Sequence, residues 1–305
     1  MGPESETERW AAARRAIAGG RHWISPNGQR PQWRHAVFSA LLTIFGAALR
    51  LTPLHRWGVR NALDLRLNEL ELTVAGLPPA FDGYRILHVS DTHFDVLPEA
   101  AEVAARLLSG LEIDLLALTG DIHGPPQHPL SLSVPPLARA LSGVHVRDRR
   151  LAVLGNHDPV EMVEALKPLG FETLVNRSVA LSRGADTIHV TGLDDVHSFY
   201  SPAAHRALHE QIDGFRIALV HSAEMADHAA EAGCGLYLCG HTHGGQICWP
   251  GGRLVFSQLV RCRHGASGVW RQGNMVGHTS NGLGVSPPTV RFNCRGSAAL
   301  ITLRR

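Results

Sequence analysis

The sequence predicts a layered α/β domain, in which short buried strands alternate with amphipathic helices. Six segments are short, rich in Leu, Val and Ile, and closed by Gly or polar residues, as buried strands are: 84–89, 115–119, 151–154, 188–191, 217–220 and 236–238. Segments 100–108, 160–166 and 223–232 have helical periodicity and lie between them. Because strands of this composition are buried on both faces, we expect helices to cover the sheets.

The composition and charge exclude several classes of protein. Of the 305 residues, 44% are hydrophobic and 18% are charged, which excludes a disordered chain. The apolar runs are all shorter than the roughly 18 residues that span a bilayer, which excludes a polytopic membrane protein. The five cysteines lack C-x-x-C spacing, so we expect reduced thiols. The net charge of +2 is uneven, since residues 1–60 carry +6 and the remainder −4.

Residues 1–65 are predicted to form a basic arm in front of a domain that spans residues 66–305. Between Arg9 and Arg60 there is no acidic residue, and four of the six Trp lie in this stretch. The apolar run 36–49, flanked by basic residues, would be about 21 Å long as a helix, short of a hydrocarbon core of about 30 Å. Trp and Arg around such a helix suit the headgroups of an anionic membrane.

We therefore expect a cytoplasmic protein bound peripherally to the inner membrane face through residues 1–60. A helix packed on the domain, with its Arg stems as a solvated rim, is the main alternative. A secretory signal is disfavoured because about 35 residues precede the apolar run and no clean cleavage site follows it.

Polar side chains of metal-ligating types follow five of the predicted strands. They lie in the segments 90–93 (SDTH), 120–121 (GD), 155–158 (GNHD), 221–222 (HS) and 240–243 (GHTH). Each motif is common by itself, since Gly-Asp is an ordinary turn signal. Sites in open α/β sheets assemble beyond the carboxyl ends of the strands, so the five motifs together predict one site. We expect Gly120, Gly155 and Gly240 to let the backbone turn sharply beside it.

The candidate ligands offer only oxygen and nitrogen donors. They are Asp91, His93, Asp121, Asn156, His221, His241 and His243. Such a set suits Mn, Fe or Zn, of which we favour Mn, and requires no thiolate. Seven side chains are too many for one tetrahedral ion but fit two ions that share a carboxylate. Two cations about 3.5–4 Å apart lower the pKa of a bridging water and neutralise charge during displacement at phosphorus.

In this order, the five motifs resemble those of the calcineurin-like metallophosphoesterases, over about residues 84–303. The resemblance implies a four-layer α/β/β/α sandwich with the metal site at the C-terminal ends of the strands. It also implies two ions that share Asp121, one held by Asp91, His93 and His243, and the other by Asn156, His221 and His241.

The resemblance also implies that His157 hydrogen-bonds the scissile phosphate and protonates the leaving oxygen. Many relatives place an Asp three residues after the residue equivalent to Asp121 to support this proton transfer, whereas this chain has Gly124 there, preceded by His123. Asp158 is our candidate substitute.

Three arginines are candidate substrate contacts, because guanidinium forks bind phosphate bidentately. They are Arg253, Arg261 and Arg263. The His-rich segment 195–209, with Phe199 and Tyr200, is either a further part of a substrate wall or a solvated insertion.

The chain also resembles a bacterial branch of the family in three segments, 192–195 (GLDD), 240–247 (GHTHGGQI) and 281–286 (NGLGVS). That branch includes membrane-associated enzymes and UDP-2,3-diacylglucosamine pyrophosphatases of lipid A synthesis. We therefore expect hydrolysis of a phosphodiester or pyrophosphate by a metal-bridging hydroxide, on a nucleotide-linked or lipid-linked substrate. A nuclease or general phosphatase of the same fold is the alternative, although a body charge of −4 disfavours nucleic acid. A metal-free scaffold is disfavoured because every ligand position is filled.

Overall fold

The computed structural model describes residues 5–305, except for the side chains of Arg34 and His35, which flank the predicted apolar run. The helices are α1 (Glu6–Ala18), α2 (Gln32–Arg50), α3 (Pro53–Leu63), α4 (Glu99–Leu108), α5 (Val134–Ala140), α6 (Met162–Leu166), α7 (Pro202–His209) and α8 (Ala226–Glu231). The strands are β1 (His22–Ser25), β2 (Gly28–Pro31), β3 (Arg66–Thr73), β4 (Arg85–Val89), β5 (Glu112–Thr119), β6 (His145–Val153), β7 (Phe171–Thr173), β8 (Arg177–Arg183), β9 (Asp186–Gly192), β10 (Phe215–Leu219), β11 (Leu236–Cys239), β12 (Gly268–Gln272), β13 (Met275–Thr279) and β14 (Ser297–Arg304).

Two six-stranded sheets form the centre of the fold. The first has the order β3-β14-β4-β5-β6-β7, and the second has the order β12-β13-β11-β10-β9-β8. Strands β4 to β7 run parallel, as do β9, β10, β11 and β13 in the other sheet. The antiparallel strands β8 and β12 form the edges of the second sheet. The parallel strands of each sheet therefore end at a common edge, where their following loops meet.

The alternation of side chains along the buried strands explains the layers. In β5, Leu115 and Ala117 pack between the two sheets, whereas Leu116 and Leu118 pack against the side that carries α4, α5 and α6. Helices α7 and α8 cover the outer face of the second sheet. Burial of each Leu contributes about 1.5–3 kcal/mol to folding. The predicted α/β/β/α sandwich is confirmed.

The six strands predicted from apolar segments correspond to β4, β5, β6, β9, β10 and β11, with ends shifted by a few residues. Segment 100–108 corresponds to α4, which begins one residue earlier, and segment 160–166 contains α6. Segment 223–232 is divided, because a 3₁₀ turn at Ala223–Met225 precedes α8. The sequence interpretation missed the strands at the sheet edges, the hairpin of β1 and β2, and β13 and β14.

The N-terminal arm packs on the sandwich along much of its length. Ile24 of β1 forms two backbone hydrogen bonds with the segment after β9. Its N–H donates to Ser198 O at 2.9 Å, and its carbonyl accepts from Tyr200 N at 2.9 Å. Helix α3 approaches the 288–292 loop so closely that a Cβ on Gly58 would lie 2.6 Å from Val290 Cβ. Strand β1 and helix α3 of the arm therefore pack on the sandwich.

Helix α2 differs from its neighbours because its outer face is apolar and exposed. Trp33, Val37, Leu41 and Ile44 follow one another at spacings of four, four and three residues, so they share one face of the helix. Among the described helices, none is long and apolar enough by itself to cross a bilayer. Ala36–Arg50 and Pro53–Leu63 meet that test only as a pair, and a bend of 109° separates them.

Arg14 of α1 forms a deeply buried polar contact between the arm and the sandwich, with only 3% of its surface exposed. Its guanidinium forms an ion pair with Asp194 and donates to Gly155 O at 2.6 Å and to Asp158 O at 2.9 Å. Trp10 Nε1–H donates to the other oxygen of Asp194 at 2.6 Å. Helix α1 is thus tied to the loop that follows β6.

Replacing Arg14 by Met should lower the free energy of unfolding by about 3–5 kcal/mol, because Asp194 would keep a buried charge without its partner. Chemical denaturation followed by circular dichroism measures this change. Arg15→Met is the matched control, since the ion pair of Arg15 with Glu161 is 60% and 55% exposed and should contribute less than about 1 kcal/mol. Equal stability of the two variants would contradict the role of Arg14.

Candidate metal centre

The loops that follow β4, β5, β6, β10 and β11 bring all seven candidate ligands to one place between the two sheets. Six of them form two groups, and within each group the donor atoms lie within 4.8 Å of one another. The first group is Asp91, His93 and His243, and the second is Asp121, His221 and His241.

In the first group, His243 Nε2 lies 3.5 Å from Asp91 Oδ1. The rings of His93 and His243 stack with their centroids 5.2 Å apart. The N–H of His241 donates to both oxygens of Asp91, at 3.0 and 3.1 Å, which fixes the carboxylate. The second sheet therefore orients a carboxylate that belongs to the first.

In the second group, His221 Nε2 lies 3.2 Å from Asp121 Oδ2 and 3.2 Å from Asn156 Oδ1. His241 Nδ1 also lies 3.2 Å from His221 Nε2. The same oxygen of Asp121 is 3.6 Å from His93 Nε2 in the first group. Asp121 thus lies between the two groups.

The tautomer of His221 follows from its backbone contact. Its Nδ1 lies 2.8 Å from Thr119 O, which only accepts, so Nδ1–H donates. In the neutral ring this leaves a lone pair on Nε2, which faces Asn156 and Asp121. A histidine held through one ring nitrogen in this way is oriented to bind a metal through the other.

Five of the seven candidate ligands have a left-handed backbone. The φ angles are 47° at Asp91, 36° at His93, 52° at Asp121, 73° at His241 and 53° at His243. Such conformations cost a non-glycine residue of order 1–3 kcal/mol and are concentrated at functional sites. The loops therefore accept backbone strain in order to aim these side chains inward.

The glycines of the motifs act differently from one another. Gly120 has a φ of 85°, as expected for a sharp turn. Gly155 and Gly240 do not have positive φ, so a left-handed backbone does not explain why glycine stands there. A Cβ on Gly155 would lie 2.2 Å from Asp121 Oδ1, and one on Gly240 would lie 2.1 Å from Asp91 Oδ2. These two glycines are needed because the carboxylates approach the backbone so closely.

The electrostatics of the cluster favour positive charge at its centre. Burial alone would lower the pKa of His221, but Asp121 and Asp91 outweigh it and raise that pKa to about 10. Burial and neighbouring imidazoles hold the pKa values of His241 and His243 well below the ordinary value, so both rings are neutral donors. The carboxylates thus attract a cation, and the imidazoles offer it lone pairs.

Several ring nitrogens of the cluster are buried without a hydrogen-bond partner. They are both nitrogens of His93, Nε2 of His241 and Nδ1 of His243. A buried polar atom without a partner costs about 1–3 kcal/mol. Together with the oxygen donors, these atoms fit a pair of divalent cations.

His157 and Asn156 are the half-buried members of the site, so they face the open side. The His157 N–H donates to Asp121 Oδ1 at 2.9 Å, and its ring lies edge-on to His93 at 5.4 Å. Burial lowers the pKa of His157 despite the nearby charge of Asp121. His157 is therefore positioned beside the metal groups as a neutral imidazole.

Asp158 is buried, and backbone N–H groups occupy both of its oxygens. Oδ1 accepts from Ile122 N at 2.9 Å and from His123 N at 3.0 Å, and Oδ2 accepts from Gly155 N at 2.8 Å. The carboxylate joins the loop after β5 to the loop after β6.

Asp95 is a site carboxylate that the sequence interpretation missed. Its oxygens occupy the space where a side chain at position 124 would lie, since a Cβ on Gly124 would be 3.0 and 3.2 Å from them. Oδ2 accepts from Gly124 N at 3.1 Å and lies 2.8 Å from His128 Nδ1, and Oδ1 is buried without a partner. The available signal was the spacing of Asp95, two residues after His93.

The three candidate substrate arginines each have a different local environment. Arg261 pairs with Asp227, Arg263 Nε donates to Leu259 O at 3.2 Å, and Arg253 is exposed. Substrate binding by these residues stays a prediction.

A cavity of about 300 Å³ lies instead beside His197, in the His-rich segment. The rings of His197 and His241 are 4.1 Å apart, so the cavity adjoins the second metal group. Its walls include Trp23, Arg30 and Phe38 of the N-terminal arm and Phe256.

Comparisons with known proteins agree with this architecture. A family model described as the calcineurin-like phosphoesterase superfamily domain matches residues 84–258. The chain is 26% identical to uncharacterized metallophosphoesterase YkoQ of Bacillus subtilis, over 85% of this chain and 97% of that protein. It is 26% identical to phosphodiesterase YaeI of Escherichia coli, over 72% of this chain and 82% of that protein.

Among solved structures, the NAD nucleotidase of Haemophilus influenzae is similar with a TM-score of 0.39 and 14% identity, over 66% of this chain and 45% of that one. The family match covers more than half of the chain. The protein therefore belongs to the calcineurin-like phosphoesterase superfamily and is a phosphoric ester hydrolase.

Proposed function

We propose that the protein uses two divalent ions to hydrolyse a phosphodiester or pyrophosphate bond in a lipid-linked substrate at a membrane surface. The observation that carries the two-ion centre is the position of Asp121 Oδ2, 3.2 Å from His221 Nε2 and 3.6 Å from His93 Nε2. One ion would be held by Asp91, His93, Asp121 and His243, and the other by Asp121, Asn156, His221 and His241.

The chemistry of the site follows from these residues. Bound divalent ions would lower the pKa of a water molecule and offset the negative charge on phosphoryl oxygens. The oxygen and nitrogen donors suit Mn, Fe or Zn, and we favour Mn. His157, which faces the open side, is positioned to donate a hydrogen bond to a phosphoryl oxygen. To deliver a proton to the leaving oxygen, the ring must first take up a second proton, and the charge of Asp121 favours that form.

Two further carboxylates have supporting roles. Asp158, whose oxygens are taken by backbone N–H groups, acts as a positioning residue that keeps the loops of Asp121 and His157 in register. Asp95 supplies the negative charge that the glycine at position 124 does not provide. This charge lies near His93, where it favours a bound cation.

The cavity beside His197 supports a substrate with a substantial leaving group. His197 on its wall contacts His241, with ring centroids 4.1 Å apart, and the ring centroids of Phe38 and Phe256, also on the wall, lie 4.9 Å apart. Arg30, also on the wall, supplies positive charge next to His197. A group with an anionic part and an apolar part matches such a lining.

The apolar face of α2 supports a lipid-linked substrate in particular. Phe38 belongs to the cavity wall, and on the same helix Leu41 and Ile44 are 60% and 66% exposed. The cavity thus opens beside an apolar surface, around which Arg50 and Arg56 are exposed. Such a surface suits the interface of an anionic membrane.

We propose UDP-2,3-diacylglucosamine as a representative substrate and the cytoplasmic face of the inner membrane as the location. The arm up to residue 65 acts as the membrane-facing part, and residues 66–305 act as the catalytic domain. The relative YaeI, named a phosphodiesterase, supports diester or diphosphate chemistry.

Purified protein with Mn²⁺ should hydrolyse UDP-2,3-diacylglucosamine and bis-p-nitrophenyl phosphate faster than p-nitrophenyl phosphate. Asp121→Asn should lower kcat by at least about 10³-fold and the metal content from two ions to at most one, because the shared carboxylate is lost. Product release and elemental analysis measure these two effects.

Asp213→Asn, at an exposed aspartate, is the control and should retain full activity and metal. Full activity of Asp121→Asn would refute the two-ion centre. Faster turnover of the monoester would refute the choice of substrate and favour a general phosphatase.

The double variant Leu41→Asp and Ile44→Asp should bind vesicles of phosphatidylethanolamine and phosphatidylglycerol at least about tenfold more weakly, because each apolar side chain contributes about 1.5–3 kcal/mol when buried. Cosedimentation measures binding, and hydrolysis of soluble bis-p-nitrophenyl phosphate should be unchanged. Leu132→Asp, at a leucine that is 47% exposed elsewhere, is the matched control and should bind normally. Unchanged binding by the double variant would refute the membrane contact.

A further inference from the structure

A second cluster of histidines lies outside the catalytic centre, where α7 packs against α8. His205 and His209 belong to α7 and His228 to α8, and one ring nitrogen of each lies within 4.8 Å of the others. The ring centroid of His205 lies 4.0 Å from that of His209 and 5.4 Å from that of His228. Three imidazoles from two helices thus converge on one point.

The sequence brings these rings together by helical spacing and small side chains. His205 and His209 are four residues apart, so they lie on the same face of α7. Ala204 of α7 and Ala226 and Ala229 of α8 belong to one buried cluster, and their short side chains let the two helices approach. The face of α7 that carries the two histidines therefore lies beside His228.

The unsatisfied atoms of the cluster point to a ligand. The Nδ1 atoms of His209 and His228 are buried and have no hydrogen-bond partner. Because both atoms are buried, a group placed among the rings would satisfy them.

The donor set determines which ion fits. We propose that His205, His209 and His228 form a third metal site, separate from the catalytic pair, that binds Zn²⁺ and joins α7 to α8. Tetrahedral Zn²⁺ holds its nitrogen ligands about 3.4 Å apart, so small rotations of the three side chains suffice. Glu231 Oε2, 3.7 Å from His228 Nδ1, is available as a fourth ligand.

This site differs in chemistry from the catalytic centre. Three imidazoles select Zn²⁺ strongly over Mn²⁺, whereas carboxylate-containing sites accept Mn²⁺ readily. The ion would fix α7, which directly follows the segment that contains Asp194 and His197. Its role is structural, and hydrolysis does not depend on it.

The experiment measures bound metal in tag-free, full-length protein after equilibrium dialysis against Zn²⁺ or Mn²⁺ alone. With Zn²⁺, we expect three ions per chain in the wild type and two in the double variant His205→Gln, His209→Gln. With Mn²⁺, both proteins should bind two. Zn²⁺ should also raise the melting temperature of the wild type more than that of the variant.

The control is His145→Gln, at an exposed histidine that begins β6, which should bind as the wild type does. His228→Gln, which changes the other helix, provides a second test if the double variant fails to fold. Equal Zn²⁺ content in the wild type and the variants would overturn the third site. A low Mn²⁺ content in both proteins would instead refute the two-ion catalytic centre and leave the third site standing.

Discussion

The burial of two carboxylates at neighbouring strand ends is the constraint on which the rest of the site depends. Asp91 and Asp121 follow the paired parallel strands β4 and β5, and neither is more than 2% exposed. Two such charges repel strongly in a low dielectric unless positive charge lies close to both. The surrounding imidazoles offer lone pairs, and their strained loops aim those lone pairs at the same space. The centre is therefore arranged to receive cations.

This constraint couples the site to the whole sandwich. Asp91, Asp121 and Asn156 come from the first sheet, whereas His221, His241 and His243 come from the second. The centre exists only while the apolar layer between the sheets, which includes Leu115 and Ile217, holds the two strand edges together. The glycines make the contact possible, because any side chain at Gly155 or Gly240 would overlap a carboxylate.

The sequence predicts those parts whose signal is local. Central strands such as β5 are recognisable because their apolar residues are consecutive, and the ligands are recognisable because each directly follows such a strand. Strand β3 was missed because it lacks a buried apolar run, since Leu72 is its one buried residue, and its place is set by pairing with β14, more than 200 residues away. The hairpin had a local signal that was overlooked, since Pro26-Asn27 followed by Gly28 is a typical turn sequence between two short strands.

The site shows the same division between local and distant information. Asp158 was correctly placed beside His157 by its position in the motif, but only the fold shows that three backbone N–H groups occupy its oxygens. The sequence interpretation missed Asp95 because Asp95 lies in the loop after β4, whereas Gly124, which it contacts, lies in the loop after β5.

The N-terminal arm has an inner face that packs on the sandwich and an apolar outer face that is exposed. Composition separates residues 1–65 from the body, yet Arg14 contacts the loop after β6 and Arg30 lines the cavity beside the metal groups. Packing on the sandwich explains why the inner side of the arm is ordered. It does not explain Leu41 and Ile44, whose side chains are mostly exposed and form part of an apolar surface. Because Phe38 of the same helix lines the cavity, an apolar partner at this face would meet the entrance to the site.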